Sequence, residues 1–230
     1  MACEHPLANP AMSALLGPHA WLAERHGQVR RYPADVCPFA GIPRQPADAA
    51  WADLAAAVGP RGIAVTAALA VDPPAGWQVI RKIDAVQMVA AGVQARPDPE
   101  AVPLTPADVP DMLELTARTR PGPFLPRTIE LGSYLGIRRD GELIAMAGER
   151  LRPPGWTEIS AVCTDERFRG AGLGTRLVHA VAALITDRGD TPFLHAADDN
   201  AAAIRLYEAL GFRTSRRAPF LVLRAPDLAR

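Results

Sequence analysis

No stretch of the 230-residue chain approaches the ~20 continuous apolar residues that a membrane-spanning helix needs. Its start, MACEHPLANP, lacks a basic opening followed by an apolar run, so no signal peptide is expected. Cysteine is scarce: Cys3, Cys37 and Cys163 are far apart and odd in number, which argues against a disulfide framework and against a zinc site. No His, Asp or Glu cluster has metal spacing either, so no metal is expected. An excess of one charge is also missing. Lys+Arg 25 cancels Asp+Glu 25, and no global basic field points to nucleic acid. The expectation is a soluble, cytoplasmic protein of a reducing compartment, with neither a membrane nor a nucleic acid as partner.

What the chain does have is apolar material. With 49% hydrophobic and 22% charged residues it can bury a substantial core. Its length is long for one small domain and short for two large ones. The clearest boundary is ARPDPEAVPLTPADVP, Ala95–Pro110, whose five prolines sustain neither a helix nor a central strand. Two lobes are therefore expected, 1–95 as an N-terminal α/β extension and 101–230. In the first, helices are expected at Ala11–His26 and Ala47–Val58, and strand-like apolar runs at Gly62–Val71 and Gln78–Ile83. In the second, ADVPDMLELTART reads as a helix. SYLGIRRDGELIAMAGERL reads as two strands about Arg139-Asp140-Gly141, where Asp-Gly is a strong hairpin signal. TEISAVCT is a third strand and TPFLHAA another, NAAAIRLYEALG is a helix, and FLVLRA is a last strand.

Between TEISAVCT and TPFLHAA lies RFRGAGLGTRLVHAVAALI, with three glycines (Gly170, Gly172, Gly174) in five positions. Leu173, Leu177, Val181 and Leu184 then repeat on one helical face. The first turn of such a helix projects free N–H groups, and glycines let a phosphate come close to the backbone. Arg169 adds a cation. A tight turn with no ligand is the plain alternative. A Walker loop would need Lys and Ser/Thr after its second glycine, where this chain has Leu-Gly-Thr. A Rossmann fingerprint needs a different glycine spacing on a parallel sheet. What remains is a site for another pyrophosphate.

RGAGLG at Arg169–Gly174 resembles the Arg/Gln-x-x-Gly-x-Gly/Ala loop with which the GNAT superfamily of N-acetyltransferases holds the pyrophosphate of acetyl-CoA. NAAAIRLYEALGF, Asn200–Phe212, is similar to the second signature of that family, and the element order over 101–230 fits its catalytic domain. The resemblance implies a mixed α/β (α+β) fold, with a central, mostly antiparallel sheet flanked by helices. It implies acetyl-CoA as co-substrate and transfer of acetyl to a primary amine in a ternary complex. Backbone groups of Val162, Cys163 and Thr164 would meet the pantetheine and acetyl carbonyl. Arg169, Gly170, Ala171, Gly172, Leu173, Gly174 and Thr175 would meet the pyrophosphate, and Asn200 the CoA. Residues 1–95 show no glycine loop. They read as a degenerate GNAT-like half without a second active site, covering part of the sheet or the acceptor cleft, or helping to form a homodimer.

Acyl transfer from a thioester to an amine needs a neutral amine, a polarised carbonyl and a protonated leaving sulfur. Tyr207, two turns after the helix-capping Asn200, matches the family's acid for the CoA thiolate; the alternative is a core aromatic. The base stays open. His195 lies five residues before Asn200 and is of the residue type suited to take a proton from an ammonium, but it also suits a hydrogen-bonded core position. Glu158 is on the strand entering the loop, where an exposed edge carboxylate is the competing reading, and Glu149 is a weaker third. Cys163 has no local base and reads as a small strand residue. Arg213–Arg217 (RTSRR) reads as a solvated charge run, or a contact for the 3′-phosphate of CoA. TRPGPFLPRT, Thr119–Thr128, is either a rigid rim of the acceptor pocket or an ordinary loop. The acceptor is a small-molecule or peptide amine. A non-catalytic acyl-CoA-binding regulator or scaffold is the alternative function.

Overall fold

The computed structural model describes residues 5–67, 69 and 71–227, so Cys3 lies outside the described residues. The largest sheet runs, in order, β12 (Phe212–Arg217), β6 (Ala85–Ala90), β11 (Thr191–Ala197), β10 (Trp156–Thr164), β9 (Glu142–Glu149), β8 (Tyr134–Arg139) and β7 (Val102–Pro103). All its neighbours are antiparallel except β10 and β11. A parallel pair needs a crossover, and helix α4 (Leu173–Asp187) supplies it. Helices α1 (Pro10–Leu16), α2 (Asp48–Val58), α3 (Val109–Thr119) and α5 (Ala201–Ala209) complete the α-helices among the described residues, beside short 3-10 turns. The architecture is the mixed α/β, mostly antiparallel sheet flanked by helices that the sequence implies.

Local chemistry explains the central elements. Asp140 and Gly141 both take positive φ, +51° and +84°, and set Arg139 opposite Glu142 in a two-residue hairpin turn. Strand β9 is buried almost end to end because α4 packs on one face and α3 on the other. Leu177, Val178, Val181 and Ile185 of α4 form one core with Ile137, Ile144 and Ile159. Met112 and Leu115 of α3 form another with Tyr134, Leu143 and Met146.

The expected helix Ala11–His26 stops at Leu16, because Gly17-Pro18 cannot carry it on. Glu24–His26 is instead β1, which turns at Gly27-Gln28 into β2 (Val29–Arg31) and continues to β3 (Ala40–Gly41). The turn is pinned by the Gln28 N–H, which donates to Asp53 Oδ2 at 2.8 Å.

The two halves of the chain exchange strands. Strand β6 precedes the proline-rich connection, yet it lies between β11 and β12 in the large sheet. Strand β13 (Phe220–Arg224), at the far end of the chain, pairs instead with β4 (Ile63–Ala67) and β5 (Gln78–Ile83). Val86 and Met88 of β6 are thus buried in the α4-side core, while Phe220 of β13 joins Leu7, Tyr32, Val36 and Phe39 on the opposite side. Only Asp84 separates β5 from β6, so the chain changes sheet without a turn. The run Arg213–Arg217, expected as a solvated charge run, is most of edge strand β12, and its side chains are mainly exposed.

One buried polar contact in the first half gives stability a pH dependence. His19 lies with Nδ1 2.8 Å from the Tyr32 hydroxyl and Nε2 3.0 Å from the Leu131 carbonyl oxygen. Burial lowers its pKa to about 4, against the opposing pull of the Leu131 carbonyl. The unfolded chain protonates there near 6.5, so this contribution is complete above that pH and fades as pH falls towards 4. Urea melts should lose about 3 kcal/mol across that window, and His19→Gln should flatten the dependence. A wild-type slope unchanged in the variant would remove His19 from the account.

Candidate active site

The glycine loop opens directly onto α4. Gly172 is the N-cap in the left-handed region at φ +72°, and Gly170 is at +84°. A Cβ built at either would meet nothing within 4 Å, so both face open space beside the free N–H groups of the first turn. A cavity of about 410 Å³ borders the loop, lined by Arg118, Thr119, Asp165, Arg167 and Arg169 among others. Arg118 and Arg167 are tied to Asp165 and Glu142. Arg169 makes no ion pair among the described residues, which leaves its charge for an anion. Arg176, on the next turn, instead clamps the proline-rich connection through Asp98 at 2.6 Å and Glu100 at 2.7 Å.

Behind the loop the sheet divides. Strands β10 and β11 pair only from Trp156↔Thr191 to Glu158↔Phe193 and then part. Beyond that point β10 keeps only β9 as a neighbour, and β11 only β6. A bulge lies between Ser160 and Cys163, where Ala161 takes φ +52°. The side of β10 from Ile159 to Thr164 that faces β11 is therefore left without a strand partner, on the segment that runs into the glycine loop. Val162 and Thr164 are half-buried along it. The Cys163 side chain turns away towards α3. Burial pushes its thiol up to about 11, against a hydrogen bond with Thr119, so it is no nucleophile.

The two candidate bases stand where β10 and β11 stop pairing. His195 Nδ1 is 2.6 Å from Glu158 Oε1, bridging β11 and β10 where they separate. Glu158 is fully buried, which corrects the expectation of an exposed edge carboxylate. Its carboxylate also receives Arg150 through Nη2 at 2.6 Å and Nε at 2.9 Å, and the Leu151 N–H at 3.3 Å. Burial alone would raise its pKa, but Arg150 first and His195 second hold it well below the ordinary carboxylate range. The guanidinium of Arg150 lies 4.9 Å over the Phe39 ring, and Phe220 packs edge-on against His195 at 5.0 Å. Glu149 is bound to Arg188 at 2.8 Å and is not part of this cluster.

Tyr207 lies across the sheet from this pair. Asn200 caps α5, accepting from the Ala203 N–H at 3.1 Å. Two turns later Tyr207 packs with Phe212 on the core that holds Leu194 and Ala196. His195 projects from the other face of β11, beside Phe193 and Phe220. The tyrosine and the dyad thus lie on opposite faces of β11 and are not brought into contact. Burial raises the Tyr207 hydroxyl, which keeps it protonated near neutral pH. Sequence reasoning missed Arg150 and Gln87. The only signal for Arg150 was a charge in the second hairpin strand, and Gln87 had none, since its register with His195 links distant parts of the chain.

The family model described as FR47-like protein matches residues 134–221. The N-alpha-acetyltransferase RimI of Mycobacterium tuberculosis is 36% identical over 121 residues, 48% of this chain and 75% of that protein. The mycothiol acetyltransferase of Thermobispora bispora is 45% identical over 56 residues, 24% of this chain and 19% of that one. A crystal structure from Novosphingobium aromaticivorans, described as an acetyltransferase of the GNAT family, is 41% identical. It superposes with a TM-score of 0.88 over 96% of this chain and 99% of its own.

Proposed function

This chain belongs to the GNAT family of acetyltransferases, and on that premise we propose that it moves acetyl from acetyl-CoA to a primary amine by direct transfer in a ternary complex. The observation that carries the reading is the parting of β10 and β11 beside a glycine loop that opens a helix. The cradle fits the cofactor: Gly170 and Gly172 leave open the volume that any side chain would fill. Residues Arg169–Thr175 would hold the pyrophosphate by backbone N–H groups and the helix dipole. The free edge at Val162, Cys163 and Thr164 would take the pantetheine and orient the acetyl carbonyl, and Asn200 would flank the CoA.

Bound acetyl-CoA would supply an activated thioester; a C–N bond forms as the C–S bond breaks, one proton leaving the amine and one reaching sulfur. Tyr207 gives the second proton, on the side of α4 and α5. The His195–Glu158 dyad takes the first, on the opposite face. Arg150 keeps Glu158 ionised, so that the dyad can accept a proton instead of already holding one. The half of the chain before the proline-rich connection covers this second face with Leu7, Tyr32 and Phe39.

The names of the relatives set the first acceptors to try: peptides with free α-amines and mycothiol-related amines. The expected result is release of CoA thiol that depends on the amine and matches the acetylated product one to one. Tight acetyl-CoA binding with no turnover on any amine would favour a regulator or scaffold instead.

A further inference from the structure

One buried side chain beside the dyad comes from the other half of the chain. Gln87 of β6 stands opposite His195 in the strand register and is 1% exposed. Its Nε2 donates to the Leu7 carbonyl oxygen at 3.1 Å and lies 3.2 Å from His195 Nε2. Its Oε1 is buried with no hydrogen-bond partner among the described residues. An unused acceptor at a buried position is unfavourable, so something must fix the amide this way round. The Leu7 carbonyl does so, because a reversed amide would set oxygen against oxygen.

That orientation dictates the state of the imidazole. An NH₂ group only donates, so His195 Nε2 must be the bare, accepting nitrogen. Nδ1 then carries the hydrogen donated to Glu158 Oε1. The resting ring is neutral with its proton on Nδ1. Proton uptake puts a second N–H at Nε2, donor against donor, and the conflict ends only when the amide turns over and presents Oε1. Leu7 O would then keep a second donor, Arg216 Nη1 at 3.4 Å.

We propose that Gln87 is a positioning residue for proton uptake by His195: held by the Leu7 carbonyl, its amide keeps the ring neutral, and by reversing it accepts the newly protonated Nε2. The inference rests on the part assigned to the dyad in acetyl transfer. Other groups facing the ring are Glu158 of β10 with Arg150 behind it, and Arg216 of β12 beyond Gln87. Tyr32 and Cys37, from the segment packed above, are neutral because burial raises both. The exchange of β6 therefore does more than complete the sheet. It brings into the site a group that sets when the base is free.

Two substitutions separate this from a purely structural role. Gln87→Glu presents only acceptors to Nε2, whereas Gln87→Met keeps the shape and offers neither donor nor acceptor. The acidic limb of kcat/KM should move up by about one pH unit in Gln87→Glu, a tenfold loss just below the wild-type limb. It should move down in Gln87→Met, whose protonated ring has no acceptor. The ¹⁵N titration of the His195 ring should report the same opposite shifts without turnover. The wild-type protein needs no variant for its own check: resting His195 should show hydrogen on Nδ1 and a bare Nε2. The reverse tautomer, or limbs that coincide or shift together in the two variants, overturns the proposal. If His195→Asn keeps the wild-type rate and limb while the ring titration shifts as expected, the dyad's catalytic role fails and the Gln87 control of the ring stands.

Discussion

Gly172→Glu should abolish measurable acetyl-CoA binding while leaving the fold in place. The position is left-handed at φ +72°, where a non-glycine residue costs about 1–2 kcal/mol, a loss that a core of this size can absorb. A Cβ there meets no protein atom within 4 Å, so a side chain starts in the open space in front of the α4 N-terminus. A carboxylate in that space occupies the phosphate's volume and satisfies the same N–H groups and helix dipole. Calorimetry should show affinity weakened by at least about 100-fold, which corresponds to ~2.7 kcal/mol. Gly172→Ala carries the same backbone strain without the anion and separates strain from occlusion. Unchanged affinity in Gly172→Glu, with an intact circular dichroism spectrum, would mean that the pyrophosphate lies elsewhere.

The features legible in the sequence are those whose parts lie close together along the chain. The loop Arg169–Gly174 and its helix form one continuous segment, as do Asn200 and Tyr207 on α5, so spacing alone exposes them. The Asp140-Gly141 hairpin is equally local. Strand β6 was not legible, because AVQMVA, buried at its first four positions, shows no alternation, and no turn residue divides it from β5. Its place between β11 and β12 depends on pairing across more than a hundred residues, which no local pattern encodes. The burial of Glu158 was hidden for the same reason. Alternation marks a residue as facing one side of a sheet, but it does not say that Arg150 and the first half of the chain will cover that side. The parting of β10 from β11 also leaves no mark in TEISAVCT itself.

Tyr207→Phe should lower kcat by about 10²–10⁴ and leave acetyl-CoA affinity nearly unchanged. The ring packs against Phe212, and phenylalanine keeps that contact. The hydroxyl makes no hydrogen bond among the described residues, so removing it breaks nothing in the resting fold. What is lost is the proton for the departing sulfur, an interaction made only as the C–S bond breaks, which is why kcat falls and binding does not. The pH dependence has a fixed sign. Burial raises the Tyr207 pKa above its ordinary value, so the limb of wild-type kcat that reports the phenol should lie at high pH, and the variant should lack that limb. On the other face, His195→Gln should alter the acidic limb and spare the basic one, because the dyad must be unprotonated to accept from the amine. Independent limbs are the signature of an acid and a base separated by the sheet, each serving one side of the same carbonyl. A Tyr207→Phe enzyme with full kcat would reduce the tyrosine to a packing residue and leave the thiolate to depart unaided.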